Sequence, residues 1–380
     1  MCSLLALVSV EHNPPSPRLA FVLACLAGLA INALIFKPGW RFDANRDFLG
    51  LYPGGKLAGS AQLYDPPSVL REQRKAVGFT NARRMFVRPP FYALVLWPLA
   101  RLPFPIAFAV YQAFMLAAVI AFVWLWRIPG RAVSALACCW SMPLIGSFAI
   151  GQDVPLLLCV IAASYALLSR GYEFAAGMLF SLCAIKPHLF LPLPIFVIAR
   201  RQWAFGAGVA LGGLILAALS VLGAGLHWLP LFLQAATQAA TNPGTELMPN
   251  LKGLFGGHLA LEGAASCALF LLLWFVGRSS ELSWSFAALL ATGLLTSHHA
   301  YVEDCAILIP ALLIAFDESS RVWQRLLALC LLTPFAYVWL FLTDGLITRL
   351  LLLFFALSLV AAPQLARYSR SEAYRWRIAF

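Results

Sequence analysis

Apolar runs separated by short polar interruptions recur along most of the chain. Leu19–Phe36, Ile106–Trp126, Phe205–Leu222 and Leu259–Val276 are each close to the roughly 20 residues that carry a helix across a bilayer. The runs are continuous and lack the strict alternation of a membrane barrel strand, so they predict helices. Between and after them lie further runs, many of them shorter: Phe91–Leu102, Ala132–Ile150, Val154–Leu168, Phe174–Ile185, Leu189–Ala199, Leu282–Leu295, Ala306–Phe316, Leu326–Leu342 and Ile347–Ala362. Several are too short to cross alone and are broken by proline beside polar residues, as at Pro155 and Pro187. Irregular backbone at membrane depth is tolerated only where protein or a water-filled cavity covers it. The pattern therefore predicts an all-α, polytopic integral membrane protein, one domain over 1–380, in which broken helices surround a cavity.

Composition agrees. Hydrophobic residues make up 62% of the 380 and charged residues 11%, more apolar surface than a water-soluble core can hide. The net charge of +11 reads as anchoring Lys/Arg at the cytoplasmic membrane surface, and no nucleic-acid motif accompanies it. Eight of the nine cysteines fall in apolar segments, without zinc-ligand spacing or a disulfide framework. The first run is too long for a signal-peptide core and is expected to stay as a span.

Two polar stretches, 37–90 and 225–257, and a basic tail at 363–380 punctuate the chain. Within the first, from Arg41 to Pro90, nine Lys/Arg face four acids, a balance of 9 − 4 = +5. The short connections holding Arg127 and Arg131, Arg170, Arg200 and Arg201, Arg278, and Arg321 and Arg325 fit the cytoplasmic side. Walking back from the tail puts Gly151-Gln152-Asp153, Lys186, the 225–257 loop and His298-His299 on the opposite face. The 37–90 loop joins them if Phe91–Leu102 does not cross.

Ionisable groups near membrane depth are costly and mark functional sites. Asp47, with Asp43 beside it, follows the first span; a carboxylate among cations suits a general base working on a phosphate-bearing lipid, while its plain alternative is a loop or capping acid. Arg88 precedes Pro89-Pro90, which fix an extended approach and then start a helix. Gln152 sits in a turn between two apolar runs. Lys186-Pro187-His188 breaks another pair, and a merely structural lysine there would snorkel or pair. His298-His299 leads to Tyr301, Glu303 and Asp304; on a helix His299 and Glu303 would share a face. HExxH is absent and no third ligand is evident, so no metal or cofactor is expected. A transporter or lipid flippase would also want such a cavity, but no inverted repeat is visible.

In order along the chain these motifs resemble glycosyltransferase family 87, polytopic GT-C enzymes that include mycobacterial α-mannosyltransferases using polyprenyl-phosphate mannose. The similar pieces are Asp47 through Tyr52 and Gly59 through Asp65, Arg88-Pro89-Pro90 through Pro103, Gly151-Gln152-Asp153, Ala176-Gly177 through Lys186-Pro187, Asn250 through Leu254, and Ser297-His298-His299. Arg88 stands where the family usually has an aromatic residue. The resemblance implies a GT-C-like bundle with its catalytic acid in the first extracytoplasmic loop, the place Asp47 occupies. It implies transfer of a mannose-like hexose or a pentose from a polyprenyl-phosphate donor to a lipid or glycan acceptor. Asp47, with His298 or His299, would be catalytic; Arg88, Gln152, Lys186, His188 and Asn250 would bind substrate. The setting would be a cell membrane, as in a bacterial inner membrane, with the prenyl chain held at about 0.8 kcal/mol per buried CH₂.

Overall fold

The computed structural model describes residues 16–36, 47–78, 84–237, 244–342 and 344–361. Arg41, Asp43 and the tail arginines Arg367, Arg370, Arg375 and Arg377 lie outside the described residues. Among the described residues the regular structure is entirely helical, and the chain is an all-α polytopic membrane protein. Four helices among the described residues are long and apolar enough to cross a membrane: α1 (Pro17–Ile35), α5 (Phe104–Leu125), α11 (Trp203–Ala224) and α14 (Leu259–Ser279). Much of their apolar surface faces outward, as at Leu26, Phe114, Leu214 and Phe275, because lipid replaces the core as their solvent.

The polar stretch after α1 is not simply a loop. It holds α2 (Phe48–Lys56) and α3 (Pro66–Val77), and every residue of α2 from Phe48 to Gly55 is buried. Phe48 packs on Phe104, Phe108 and Tyr111 of α5 at centroid distances of 5.6, 5.4 and 4.8 Å. The following helix, α4 (Pro90–Ala100), has 11 residues, about 16 Å at 1.5 Å per residue, too short to cross. Both its ends stay near the same level. Pro90 abuts Gly223 at the end of α11, and Tyr52 Oη donates to the carbonyl of Leu102 at 2.8 Å. The first polar stretch thus shares a face with the site described below.

The remaining apolar runs are broken where the sequence places proline or polar residues. Ala132–Ile150 becomes α6 (Arg131–Trp140) and α7 (Met142–Ile150), bent by 62° at Ser141 with Pro143 in the first turn of α7. After α8 (Val154–Leu168), α9 (Glu173–Phe180) tightens into a 3-10 turn, Ser181–Ile185. A second 3-10 turn, Pro187–Phe190, leads to α10 (Leu193–Arg200), so Lys186 sits in the gap between half-helices. Pro187 fits there because the chain turns non-helical at Lys186, where φ is −128° and ψ is 72°. Later come α12 (Trp228–Thr237), α13 (Leu251–Leu254), α15 (Leu282–Thr296), α16 (Ile309–Glu318), the bent pair α17 (Val322–Leu331) and α18 (Phe335–Leu342), and α19 (Leu346–Ser358).

Small residues let α9 and α11 approach backbone to backbone. A Cβ added at Gly177 would stand 2.0 Å from the Phe205 carbonyl oxygen, and one at Gly208 would stand 2.2 Å from that of Phe174. Membrane helices lack a hydrophobic drive toward each other, so this intimacy is where their association energy comes from. Farther along α15, fully buried from Ser283 to Leu295, forms the centre of the bundle. The cationic connections gather at one end: Arg200 Nη1 donates to the Ser280 carbonyl at 2.9 Å, and α8 runs from Asp153 to its far end at Leu168, just before Arg170.

Candidate active site

The opposite end holds a cavity of about 350 Å³, at the small end of ligand pockets. Its wall brings together residues far apart in sequence: Asp47, Arg84, Arg88, Gln152, Lys186, His188, His299, Tyr301, Glu303 and Asp304. Apolar side chains, among them Phe36, Leu51, Ile150, Leu247 and Phe341, complete it.

A turn sets the geometry. Gly151 caps α7 in the left-handed region at φ 76°, and a Cβ there would stand 2.8 Å from Cβ of Phe48. Only glycine closes α7 while letting α2 approach. The Asp47 N–H then donates to the Ile150 carbonyl at 2.5 Å, fixing the start of α2 against the end of α7. The next two residues, Gln152 and Asp153, are aimed inward just before α8.

From there a chain of charges crosses the site. Arg88 grips Asp153 with both arms, Nε to Oδ2 at 2.7 Å and Nη2 to Oδ1 at 3.1 Å. Asp153 Oδ1 also lies 3.6 Å from Lys186 Nζ, which meets Asp304 Oδ1 at 2.5 Å. Asp304 Oδ2 accepts from the Tyr301 N–H at 3.0 Å, capping the 3-10 turn Val302–Leu308. At the other end Arg88 Nη2 donates to Gln152 Oε1 at 2.9 Å. That bond fixes the amide, so Gln152 Nε2 faces Asp47 Oδ2, to which it donates, and Glu303 Oε1 at 3.5 Å. Arg84 Nε lies 3.6 Å from Asp47 Oδ1, and its side chain stays 38% exposed.

These contacts sort the carboxyl groups. Burial pushes Asp153 up, but Arg88 and then Lys186 outweigh it and hold it below the ordinary range. Asp304 is likewise held low, because Lys186 and His188 outweigh its burial. Asp47 is raised: burial outweighs Arg84, Lys186 and Arg88. Glu303 is pushed up to about 8 by burial and then by the charges of Asp304 and Asp47. Burial lowers the His299 imidazole to about 4, so it is neutral.

The sequence-derived candidates separate here. Asp47, Arg88, Gln152, Lys186, His188 and His299 line the cavity. His188 and His299 meet edge to face at 5.6 Å, and His299 meets Tyr301 at 5.1 Å. His188 Nε2 is buried without a hydrogen-bond partner. His298 instead points away and is 61% exposed, between Glu262 Oε1 and Lys252 Nζ, each at 3.1 Å. Asn250 is buried behind the wall. Its Oδ1 caps α13 by accepting from the Gly253 N–H at 3.0 Å, and its Nδ2 donates to the Ser297 carbonyl at 2.7 Å.

Ser297–Tyr301 is also not the helix that would place His299 and Glu303 on one face. Ser297 Oγ accepts from the His299 N–H at 3.3 Å, a local bond that competes with helix formation. The groups without an assigned role in the sequence are Arg84, Asp153, Glu303 and Asp304. Charge accounting is the signal for the acids: Arg88 and Lys186 need buried counter-ions, and acids beside apolar runs are few.

The model of glycosyltransferase family 87 matches residues 86–298, more than half of the chain. The chain belongs to glycosyltransferase family 87. No curated protein and no solved structure matches it. As a family 87 glycosyltransferase it is a multi-pass membrane enzyme that moves a sugar from a donor to an acceptor. The matched range contains Arg88, Gln152, Asp153, Lys186 and His188, while Asp47, Glu303 and Asp304 reach the same cavity from outside it.

Proposed function

We propose that this glycosyltransferase moves a mannose-like hexose or a pentose from a polyprenyl-phosphate donor to a hydroxyl of a lipid or glycan acceptor, with Asp47 as general base. The observation that carries this is the Asp47 carboxylate, 22% exposed, raised in pKa and facing a cavity ringed by Arg84, Arg88 and Lys186. A base whose pKa rises toward the working pH is a better proton acceptor. In the reaction the acceptor hydroxyl oxygen attacks the anomeric carbon while Asp47 takes the hydroxyl proton. The bond between that carbon and the phosphate oxygen breaks, and the polyprenyl phosphate leaves with the electron pair. Arg84, with Lys186 and Arg88 behind it, stabilises the charge that develops there, and a poorly hydrated site makes each contribution larger.

His188 Nε2 and the neutral His299 are placed to bond sugar hydroxyls; of the adjacent His298 and His299, it is His299 that lines the cavity. The cavity suits a sugar and phosphate but not a long prenyl chain, which must run outward past apolar residues such as Phe36 and Phe341. Incubating purified protein with a panel of radiolabelled polyprenyl-phosphate sugars and a crude acceptor pool tests this. Label should move to acceptor with release of polyprenyl phosphate. Movement of intact donor across a bilayer without transfer would mark a flippase instead.

We place the site on the extracytoplasmic face of the cell membrane, with Arg200 and Arg201 in the cytoplasm. Ala61, exposed in the first polar stretch, reports sidedness. In a background otherwise free of cysteine, Ala61→Cys should react with a membrane-impermeant maleimide in intact cells. Reaction only after lysis would overturn the orientation.

A further inference from the structure

The site contains one carboxyl group that neither the transfer chemistry nor the chain of ion pairs uses. Asp47, Asp153 and Asp304 face three cations, Arg84, Arg88 and Lys186, each within 3.6 Å of a partner carboxylate. Among the described residues, three against three leaves no surplus positive charge for an anionic headgroup. Glu303 is the fourth acid. It is buried, lines the cavity, and has no cation within ion-pair distance among the described residues; its side-chain contact is the Gln152 amide at 3.5 Å. Because Arg88 holds Gln152 Oε1, that amide cannot turn to accept a proton from Glu303.

An ionised Glu303 would make the described wall of the cavity net negative and disfavour a phosphate. A protonated one keeps the described wall neutral and presents an O–H donor to the cavity. We propose that Glu303 is a donor-recognition residue that, as a carboxylic acid, hydrogen-bonds a phosphate oxygen of the polyprenyl-phosphate sugar, an assignment that rests on the sugar-transfer function above.

The groups around Glu303 favour the neutral acid. Its own segment contributes Tyr301, Asp304 and Cys305; Asp47 faces it from the start of α2, and Lys186 from between the half-helices. Among the other packed elements, α7 and α15 carry no acidic or basic side chain, α8 brings only Cys159 and Tyr165, and α16 has Asp317 and Glu318 only at its far end. Burial, Asp304 and Asp47 outweigh Lys186 and push the Glu303 pKa up to about 8. Below that pH the acid is present and the donor is held. Above it the carboxylate forms and binding falls by about tenfold per pH unit, as one linked proton requires.

The test is equilibrium binding of a short-chain polyprenyl phosphomannose to detergent-solubilised protein between pH 6 and about 10, with the uncharged polyprenyl mannoside as control. A phosphodiester keeps its single charge throughout this range. Wild type should bind the phosphomannose with an alkaline limb that the mannoside does not show. Glu303→Gln cannot ionise and still donates, though less well. It should bind a few-fold more weakly at neutral pH and lose the limb, whereas Glu303→Ala should weaken binding by about 10- to 100-fold. Melting temperature of each variant, measured alongside, separates loss of binding from loss of fold. A limb that survives in Glu303→Gln overturns the assignment of Glu303 while leaving Asp47 untouched. Failure of wild type to bind the phosphomannose at every pH overturns the proposed polyprenyl-phosphomannose donor and this assignment with it, while family membership stands.

Discussion

Lys186→Met is expected to leave little well-folded protein in the membrane. The ammonium is 3% exposed and lies between Asp304 at 2.5 Å and Asp153 at 3.6 Å. Methionine keeps most of the stem volume but leaves the Tyr301 N–H as the remaining hydrogen-bond donor to the Asp304 carboxylate among the described residues. Removing one partner of a buried ion pair costs about 3–5 kcal/mol, because the remaining charge is desolvated and uncompensated. Against the roughly 5–15 kcal/mol that holds a typical domain together, that loss is large. Thermal stability and monodispersity in detergent check the prediction. Lys186→Met combined with Asp304→Asn should recover much of the loss, since the second change removes the stranded charge. If Lys186→Met alone is as stable as wild type and fails only in donor use, the lysine is a phosphate ligand and the ion-pair chain is incidental.

The sequence placed the helices better than it placed this chain of charges. Val154–Leu168 is a helix over the same residues, and α11 extends Phe205–Leu222 by two residues at each end. Apolar runs of that kind are set by the bilayer and need no tertiary information. Ala132–Ile150 reads as one run because proline is tolerated at a helix start, so the 62° bend at Ser141 is invisible locally. Helix α2 was hidden by Pro53, Gly54 and Gly55, residues that oppose helix; burial against α4 and α5 overrides their propensity.

The site was half legible for the same reason. Asp47, Arg88, Gln152, Lys186, His188 and His299 stand out as polar groups flanking apolar runs, and the fold gathers them on one face. Their pairings are long-range: Arg88 finds Asp153 across 65 residues, and Lys186 finds Asp304 across 118. No periodicity encodes such contacts. Lys186 consequently reads from sequence as a ready cation for phosphate, whereas in the fold two carboxylates already hold it. Asn250 and His298 belong to motifs near the site, but their side chains serve a helix cap and an exposed Glu262–His298–Lys252 contact.

Asp47→Asn is expected to abolish most turnover while the protein still inserts and binds donor. Asparagine preserves the size of the side chain and leaves Arg84, Arg88 and Lys186 in place, but it cannot accept the proton of the acceptor hydroxyl. General bases contribute about 10²–10⁴-fold in rate, equivalent to about 2.7–5.4 kcal/mol of barrier. The side chain makes no capping bond to α2, so the exchange spares the helix start, which is anchored by the backbone bond to Ile150. Asp43→Asn is the internal control, because a generic charge effect in this polar stretch predicts similar losses at both positions.

The decisive measurement is donor binding together with single-turnover transfer on the same preparations of wild type, Asp47→Asn and Asp43→Asn. The expected result is donor bound by all three, with transfer slowed by about 10²–10⁴-fold only in Asp47→Asn. Wild-type transfer by Asp47→Asn would contradict the account.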